Sequence, residues 1–218
     1  MPLGTNDYRE FPGFIPVNNA VHAIKRCIAV LENGTNAADD FTKPQALRLL
    51  VHFVGDIHQP LHCGTGFYDL SDLSHPVLIT DPKRCRGKPN DRGGNDLFFG
   101  NDPNQELHAL WDDSLVFAIR NSADYRSLAD WLESTQSPGS TAGDYHTWPE
   151  QWAIDSVQQA GKAYRNIEFD AARIDGQRLR ITVQLPDHYI DDNRSVAATQ
   201  LAKAGLHLAQ LLNSLAWP

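Results

Sequence analysis

The chain has 218 residues, with 19 Lys and Arg against 27 Asp and Glu and a net charge of −8; that length suits one domain with a real core, or at most two small ones. Hydrophobic residues at 41% and charged residues at 21% are ordinary for a folded globular protein, which excludes wholesale disorder. No stretch approaches the roughly 20 apolar residues that span a bilayer, the opening MPLGTNDYREFPG has neither the basic start nor the apolar run of a signal peptide, and an acidic chain does not hold nucleic acid by non-specific counterion release. A phosphate-bearing ligand would therefore need a local cation, for which a bound metal is the natural source.

Helical spacing of Val21, Ile24, Ile28 and Leu31 predicts a first helix ending at Asn33-Gly34. A second opens with Thr42 as cap and Pro44 in its first turn, runs through Ala46, Leu47, Leu50, Phe53, Val54 and Ile57, and stops at Pro60. Residues 63–104 are rich in Gly, Pro, Asp and Asn and contain two short apolar runs, Val77–Ile79 and Leu97–Phe99. They read as a long loop insertion with a small hairpin, and long loops in compact domains tend to be functional. Further helices are predicted over Gln105–Ile119, Tyr125–Thr135, Trp148–Tyr164 and Val196–Leu215, with the breaker-rich SPGSTAGDY between the middle two. Strand signal is thin, the best being Leu179–Leu185. The expected architecture is an all-α helical bundle, one domain over residues 1–218. Of three cysteines, Cys27 falls on an apolar helix face as a buried thiol, while Cys63 and Cys85 flank one loop and can pair in an oxidising compartment.

The chemistry concentrates in VHFVGDIHQPLH (51–62) and LHALWDD (107–113). His52 and Asp56 are spaced i, i+4 on one helix face, and His108 and Asp112 repeat that spacing. His62, just past Pro60, can turn back over the first pair. For one block alone, a solvated hydrogen-bonded pair explains the spacing equally well. Two blocks plus a third histidine favour a pocket of imidazoles and carboxylates, a donor set that suits zinc. His52 and Asp56 interrupt an apolar helix and are expected to be buried. His58 lies off their face and is expected at the surface or as a cap. His22, His75, His146, His188 and His207 have no companion spacing and are expected to be structural or exposed.

The segments ALRLLVHFVGDIHQPLHCG, DRGGN (91–95), LHALWDDSLV and QLAKAGLHLAQLLNSL closely resemble the zinc-dependent, single-strand-specific nucleases and 3′-nucleotidases, and the resemblance extends from about residue 18 to the C-terminus. It implies a mostly helical fold shared with zinc phospholipases C, three zinc ions, and hydrolysis of single-stranded DNA, RNA or 3′-nucleotides to 5′-phosphate products. It further implies a secreted or periplasmic location, with single-stranded nucleic acid or nucleotide as the binding partner and neither a membrane nor an obligate protein partner. By the same resemblance, His52 and Asp56 match ligands of a buried zinc pair, with Asp56 as the bridging, catalytic carboxylate. His62, His108 and Asp112 match the complete protein ligand set of the third zinc, and Asn95 matches a feature beside the substrate cleft. A turn residue after two glycines is the other reading of Asn95. The family's mature N-terminus begins with a zinc-ligating tryptophan and a nearby histidine, whereas the first of each here are Trp111 and His22. The expectation is a member lacking its N-terminal part and four ligand positions, with slowed or absent turnover. A zinc phospholipase C-like hydrolase and a non-catalytic zinc-binding remnant are the alternatives.

Overall fold

The structure is a computed structural model and describes residues 1–34, 41–100, 102, 105–120, 124–176 and 178–215. Helix α1 (Ala20–Asn33) begins where the Asn19 side chain accepts the His22 N–H, and ends at Gly34 with φ 77°. Helix α2 (Lys43–His58) opens on a capping box in which Gln45 Oε1 accepts the Thr42 N–H at 2.8 Å. After Gln59, Pro60 starts the single turn α3 (Pro60–Cys63). The loop does carry a small hairpin, but of the two apolar runs only Val77–Ile79 enters it: β1 (Phe67–Asp69) pairs antiparallel with β2 (Val77–Ile79), and Leu97–Phe98 joins another sheet. The far end of the predicted loop, at Asn104, lies outside the described residues.

Helix α4 (Leu107–Ala109) passes into a π-helical turn (Leu110–Ser114) and on into α5 (Leu115–Arg120). Helices α6 (Tyr125–Thr135) and α7 (Trp148–Ala163) fall where the apolar periodicity places them. Helix α8 (Tyr189–Ser214) starts seven residues before the predicted Val196. Its first turn carries Asp191 and Asp192, which favour a helix N-terminus electrostatically without extending the apolar stripe.

The strand reading needs one addition. Leu179–Leu185 does form a strand, β5 (Arg178–Gln184), but it pairs with an unpredicted strand, β4 (Glu168–Asp175), and with β3 (Leu97–Phe98) in the order β3-β5-β4. Strand β4 has a mostly exposed, polar sequence with no period-two apolar alternation, so only its pairing with β5 reveals it. The chain is otherwise dominated by helices, as expected.

Two apolar clusters hold these elements together. One joins α1, α2, α7 and the end of α8 through Ile24, Ile28, Leu50, Ile57, Trp152 and Leu211. The other joins α3, α4, α5, the three-stranded sheet and the start of α8 through Leu61, Leu97, Leu107, Leu115, Ile181 and Val196. Burial of each such side chain contributes about 1.5–3 kcal/mol. The end of α2 and the α3 turn lie where the two clusters meet, so both histidine blocks stand on packed backbone. Among the described residues no helix is long and apolar enough to cross a membrane. All three cysteines are free thiols: Cys27 is buried as expected, and Cys63 and Cys85 are not joined. Cys63 instead donates to the Ile57 carbonyl at 3.4 Å, and Cys85 to that of Asp81 at 3.6 Å.

Candidate metal centre

The two blocks meet through side-chain contacts. His52 Nε2 lies 3.2 Å from Asp56 Oδ2, and Asp56 Oδ1 lies 3.9 Å from His62 Nδ1. His62 Nε2 is 3.3 Å from Asp112 Oδ1, and His108 Nε2 is 3.4 Å from Asp112 Oδ2. The five residues thus form one continuous row from α2 across α3 to the π-helical turn. The His62 and His108 rings stack, with centroids 4.9 Å apart and planes 16° from parallel.

Within this row, His62, His108 and Asp112 each offer a donor atom, and the three atoms lie within 4.8 Å of one another. Two neighbours set their orientation. Gly93 O accepts from His108 Nδ1 at 2.7 Å, which fixes the tautomer and leaves Nε2 as a lone-pair donor. Gln59 Nε2 donates to Asp112 Oδ1 at 2.8 Å. Two imidazoles and a carboxylate held from behind fit zinc by donor chemistry, with room for further ligands on the exposed side. The π-helical turn carrying Asp112 is a rare geometry that recurs at functional positions.

The DRGGN segment builds the wall behind His108. Gly93 has φ +65°, and a Cβ there would lie 2.1 Å from the Leu61 carbonyl oxygen, so no other residue fits the turn. The buried Asp91 carboxylate ties the segment down: it accepts from Tyr68 OH at 2.7 Å, Thr65 Oγ1 at 2.9 Å, and the N–H groups of Gly66 and Gly94 at 3.1 Å. Burial raises its pKa, and the hydrogen bonds from Tyr68, Gly94, Thr65 and Tyr164 act against that rise. Asn95 donates its Nδ2 to the Arg92 carbonyl at 2.8 Å, within the turn itself.

Charge at the centre is mutually supporting. Burial opposes protonation of His62, but its hydrogen bond to Asp112 and the charges of Asp112 and Asp56 outweigh that, and its pKa is raised. Burial likewise opposes ionisation of Asp112. The hydrogen bonds from His62 and Gln59 and the two imidazoles prevail and hold its pKa low. Beside His62 opens a cleft of about 760 Å³ edged by Tyr8, Phe14, Phe67 and Arg92.

Two burial expectations are corrected. His52 is exposed, its side chain retaining 65% of its accessible surface, and Asp56 is half-exposed at 29%. The buried stripe of α2 is Ala46, Leu50, Val54, Ile57 and His58, and His52 and Asp56 stand beside it. His58, expected at the surface, is 2% exposed. It donates Nδ1–H to the Val54 carbonyl at 2.7 Å and accepts from His207 Nδ1 at 2.8 Å through Nε2. The sequence reading missed Gln59, Gly93 and Asp91 as supports, although the first lies between Asp56 and His62 and the other two within DRGGN.

The family description S1/P1 Nuclease matches residues 15–216. Endonuclease 5 of Arabidopsis thaliana is 26% identical over 197 residues, covering 84% of this chain and 55% of that protein. Endonuclease 3 of the same organism is 27% identical over 187 residues, covering 78% of this chain and 51% of that protein. The chain therefore spans about half the length of these curated relatives. With the His and Asp blocks gathered into one row and a family match over nearly all of its length, the chain belongs to the S1/P1 nuclease family.

Proposed function

We propose that the chain is a zinc-dependent phosphodiesterase that cleaves single-stranded nucleic acid and 3′-nucleotides to 5′-phosphate products. The observation that carries this reading is the trio His62, His108 and Asp112, oriented from behind by Gln59 and Gly93. Zinc, when bound, would act as a Lewis acid that brings the pKa of water down from about 15.7 towards 7 and offsets charge on phosphoryl oxygens. The chain's own part is to hold that charge at the mouth of the cleft. His62, His108 and Asp112 would supply three ligands to one ion, and His52 and Asp56, 3.2 Å apart, would serve the separate pair of ions that the family resemblance implies, with Asp56 as its bridging carboxylate. The half-buried Phe14 ring at the edge of the cleft offers a surface to an unstacked base. Asn95 stands in the same turn as Gly93 and is proposed as a substrate contact. Family resemblance supports secretion as well.

A second reading has its own support. Among the described residues, a second ion would find only His52 and Asp56, fewer than the three protein ligands of an ordinary catalytic zinc site. A non-catalytic zinc-binding protein is the alternative. Incubating the zinc-loaded chain with labelled single-stranded and double-stranded oligonucleotides separates the two. Single-strand cleavage that ceases with chelator supports the nuclease; full zinc occupancy without turnover supports the alternative.

A further inference from the structure

The cleft beside His62 is lined by one sign of charge. The protein has 27 Asp and Glu and a net charge of −8, yet none of the described residues lining this cleft of about 760 Å³ is an Asp or a Glu. Besides His62, its basic side chains are Lys88 and Arg92, both on the segment that leads into and through DRGGN.

That segment is held as a fixed edge. Asn90 bridges to Phe67, the Pro89 carbonyl accepts the Tyr68 N–H at 3.0 Å, and the Asp91 N–H donates to the Gly66 carbonyl at 3.1 Å, so residues 89–91 lie along the start of β1. Between the two cations, Asp91 is fully buried and anchored by the hydrogen bonds described above. Four residues of extended chain span at most about 14 Å, which keeps Lys88 and Arg92 within reach of phosphates on one nucleic-acid strand.

Neither cation is tightly committed to a carboxylate. Lys88 Nζ lies 3.4 Å from the exposed Asp69, and Arg92 Nη1 lies 3.6 Å from Asp96. Asp96 does not depend on Arg92, because Arg178 Nε reaches the same oxygen at 2.7 Å. Exposed ion pairs contribute little, so a phosphate can take either cation without orphaning a buried charge. Arg92 also has φ 56°, in the left-handed region that a residue with a side chain occupies at a cost. A glycine would form this turn without that cost; the arginine adds a guanidinium at the cleft rim with 58% of its side chain exposed.

A cleft without carboxylates, open beside the metal ligand His62 and edged by two loosely paired cations, suits a run of phosphates. A single phosphate would be met by the metal and leave both cations unused. We infer that Lys88 and Arg92 mark the path of the strand, binding phosphates that flank the one at the metal centre, so that the site favours oligonucleotides over mononucleotides. The inference rests on the nucleic-acid reading above and adds to it the preferred substrate length and the residues that set it.

The test uses the zinc-loaded chain and a fluorescein-labelled single-stranded decamer whose phosphorothioate linkages resist cleavage. Its affinity is measured by anisotropy between about 50 and 200 mM NaCl, and that of 3′-AMP by competition. Arg92→Gln and Lys88→Gln are each expected to weaken decamer binding about 10-fold at low salt. Each should also flatten the plot of log affinity against log salt by about 0.7, the loss of one phosphate contact to a single strand. Within each glutamine variant the decamer's advantage over 3′-AMP should shrink, and Arg92→Lys should keep the slope. Arg84→Gln removes an exposed cation that does not line the cleft, controls for net charge and should keep the slope as well. Zinc content and urea unfolding establish that each variant is loaded and folded. An unchanged slope in Arg92→Gln or Lys88→Gln, an equal change in Arg84→Gln, or a decamer bound no better than 3′-AMP would overturn the inference. Slopes that flatten as expected in a chain that cleaves nothing would uphold the strand path and count against the nuclease reading alone; cleavage with unchanged slopes would do the opposite.

Discussion

Two histidine pairs stand within one short stretch of the fold and do opposite things. His62 and His108 stack with centroids 4.9 Å apart; His58 and His207 lie 5.0 Å apart with planes at 47°. The first pair faces a carboxylate, Asp112, on each of its Nε2 atoms. The second faces a backbone carbonyl, a partner imidazole and the Trp152 ring, which stacks on His207 at 5.2 Å. Asp112 helps hold the His62 pKa up, whereas burial pushes that of His58 down to about 4. Spacing in sequence therefore says little about what an imidazole does; the groups beyond its ring nitrogens decide it.

The comparison breaks most sharply by exchanging losses between the pairs. His108→Ala should lower zinc affinity by about 100-fold or more, since two protein ligands remain. The metal-free chain should change in stability by only about 1 kcal/mol, the loss of the Gly93 hydrogen bond. Zinc titration and urea unfolding on the same sample check both halves. His58→Ala should do the reverse, costing about 3 kcal/mol of stability through a cavity and the orphaned His207 nitrogen, with zinc affinity nearly intact.

The buried pair also predicts a pH response of the metal-free chain. The unfolded chain takes a proton on His58 near the usual 6.5, while the folded chain refuses it until about 4. Folding stability is then full above pH 6.5 and falls as the pH drops towards 4, by a few kcal/mol. His58→Phe should flatten that fall; an unchanged profile in urea unfolding at stepped pH would assign the acid sensitivity elsewhere. Next in size is Gly93→Ala, where the strained φ and the close Leu61 carbonyl should cost about 2 kcal/mol or more. Displacing the Gly93 carbonyl should also weaken zinc binding about 10-fold by freeing the His108 ring. Smallest is Gln59→Leu, which leaves Asp112 without its amide donor and the Leu61 N–H without its cap, and should cost up to about 10-fold in zinc affinity and about 1 kcal/mol of stability.

The same contrast shows what the sequence made legible. Helices α2, α6 and α7 follow from caps, prolines and apolar spacing, because those signals act within one or two turns of chain. The two i, i+4 pairs and the turn after Pro60 are local in the same sense, and the structure gathers those residues into one row. What escaped depends on distant partners. His58 is buried because His207 comes from 149 residues away, and β4 is a strand because β5 pairs with it. His52 is exposed because the apolar stripe of α2 runs through Val54 and His58 instead. The Gly93 carbonyl becomes a support for His108 only when DRGGN closes over Leu61.

The central claim is that His62, His108 and Asp112 form the metal centre. Crystals of the zinc-loaded chain, measured across the zinc absorption edge, test it most directly. The account predicts an anomalous peak about 2.0–2.2 Å from an imidazole nitrogen of both His62 and His108 and from an Asp112 oxygen. Full zinc loading with no peak among those three residues, or a peak at His58 and His207 instead, would contradict it.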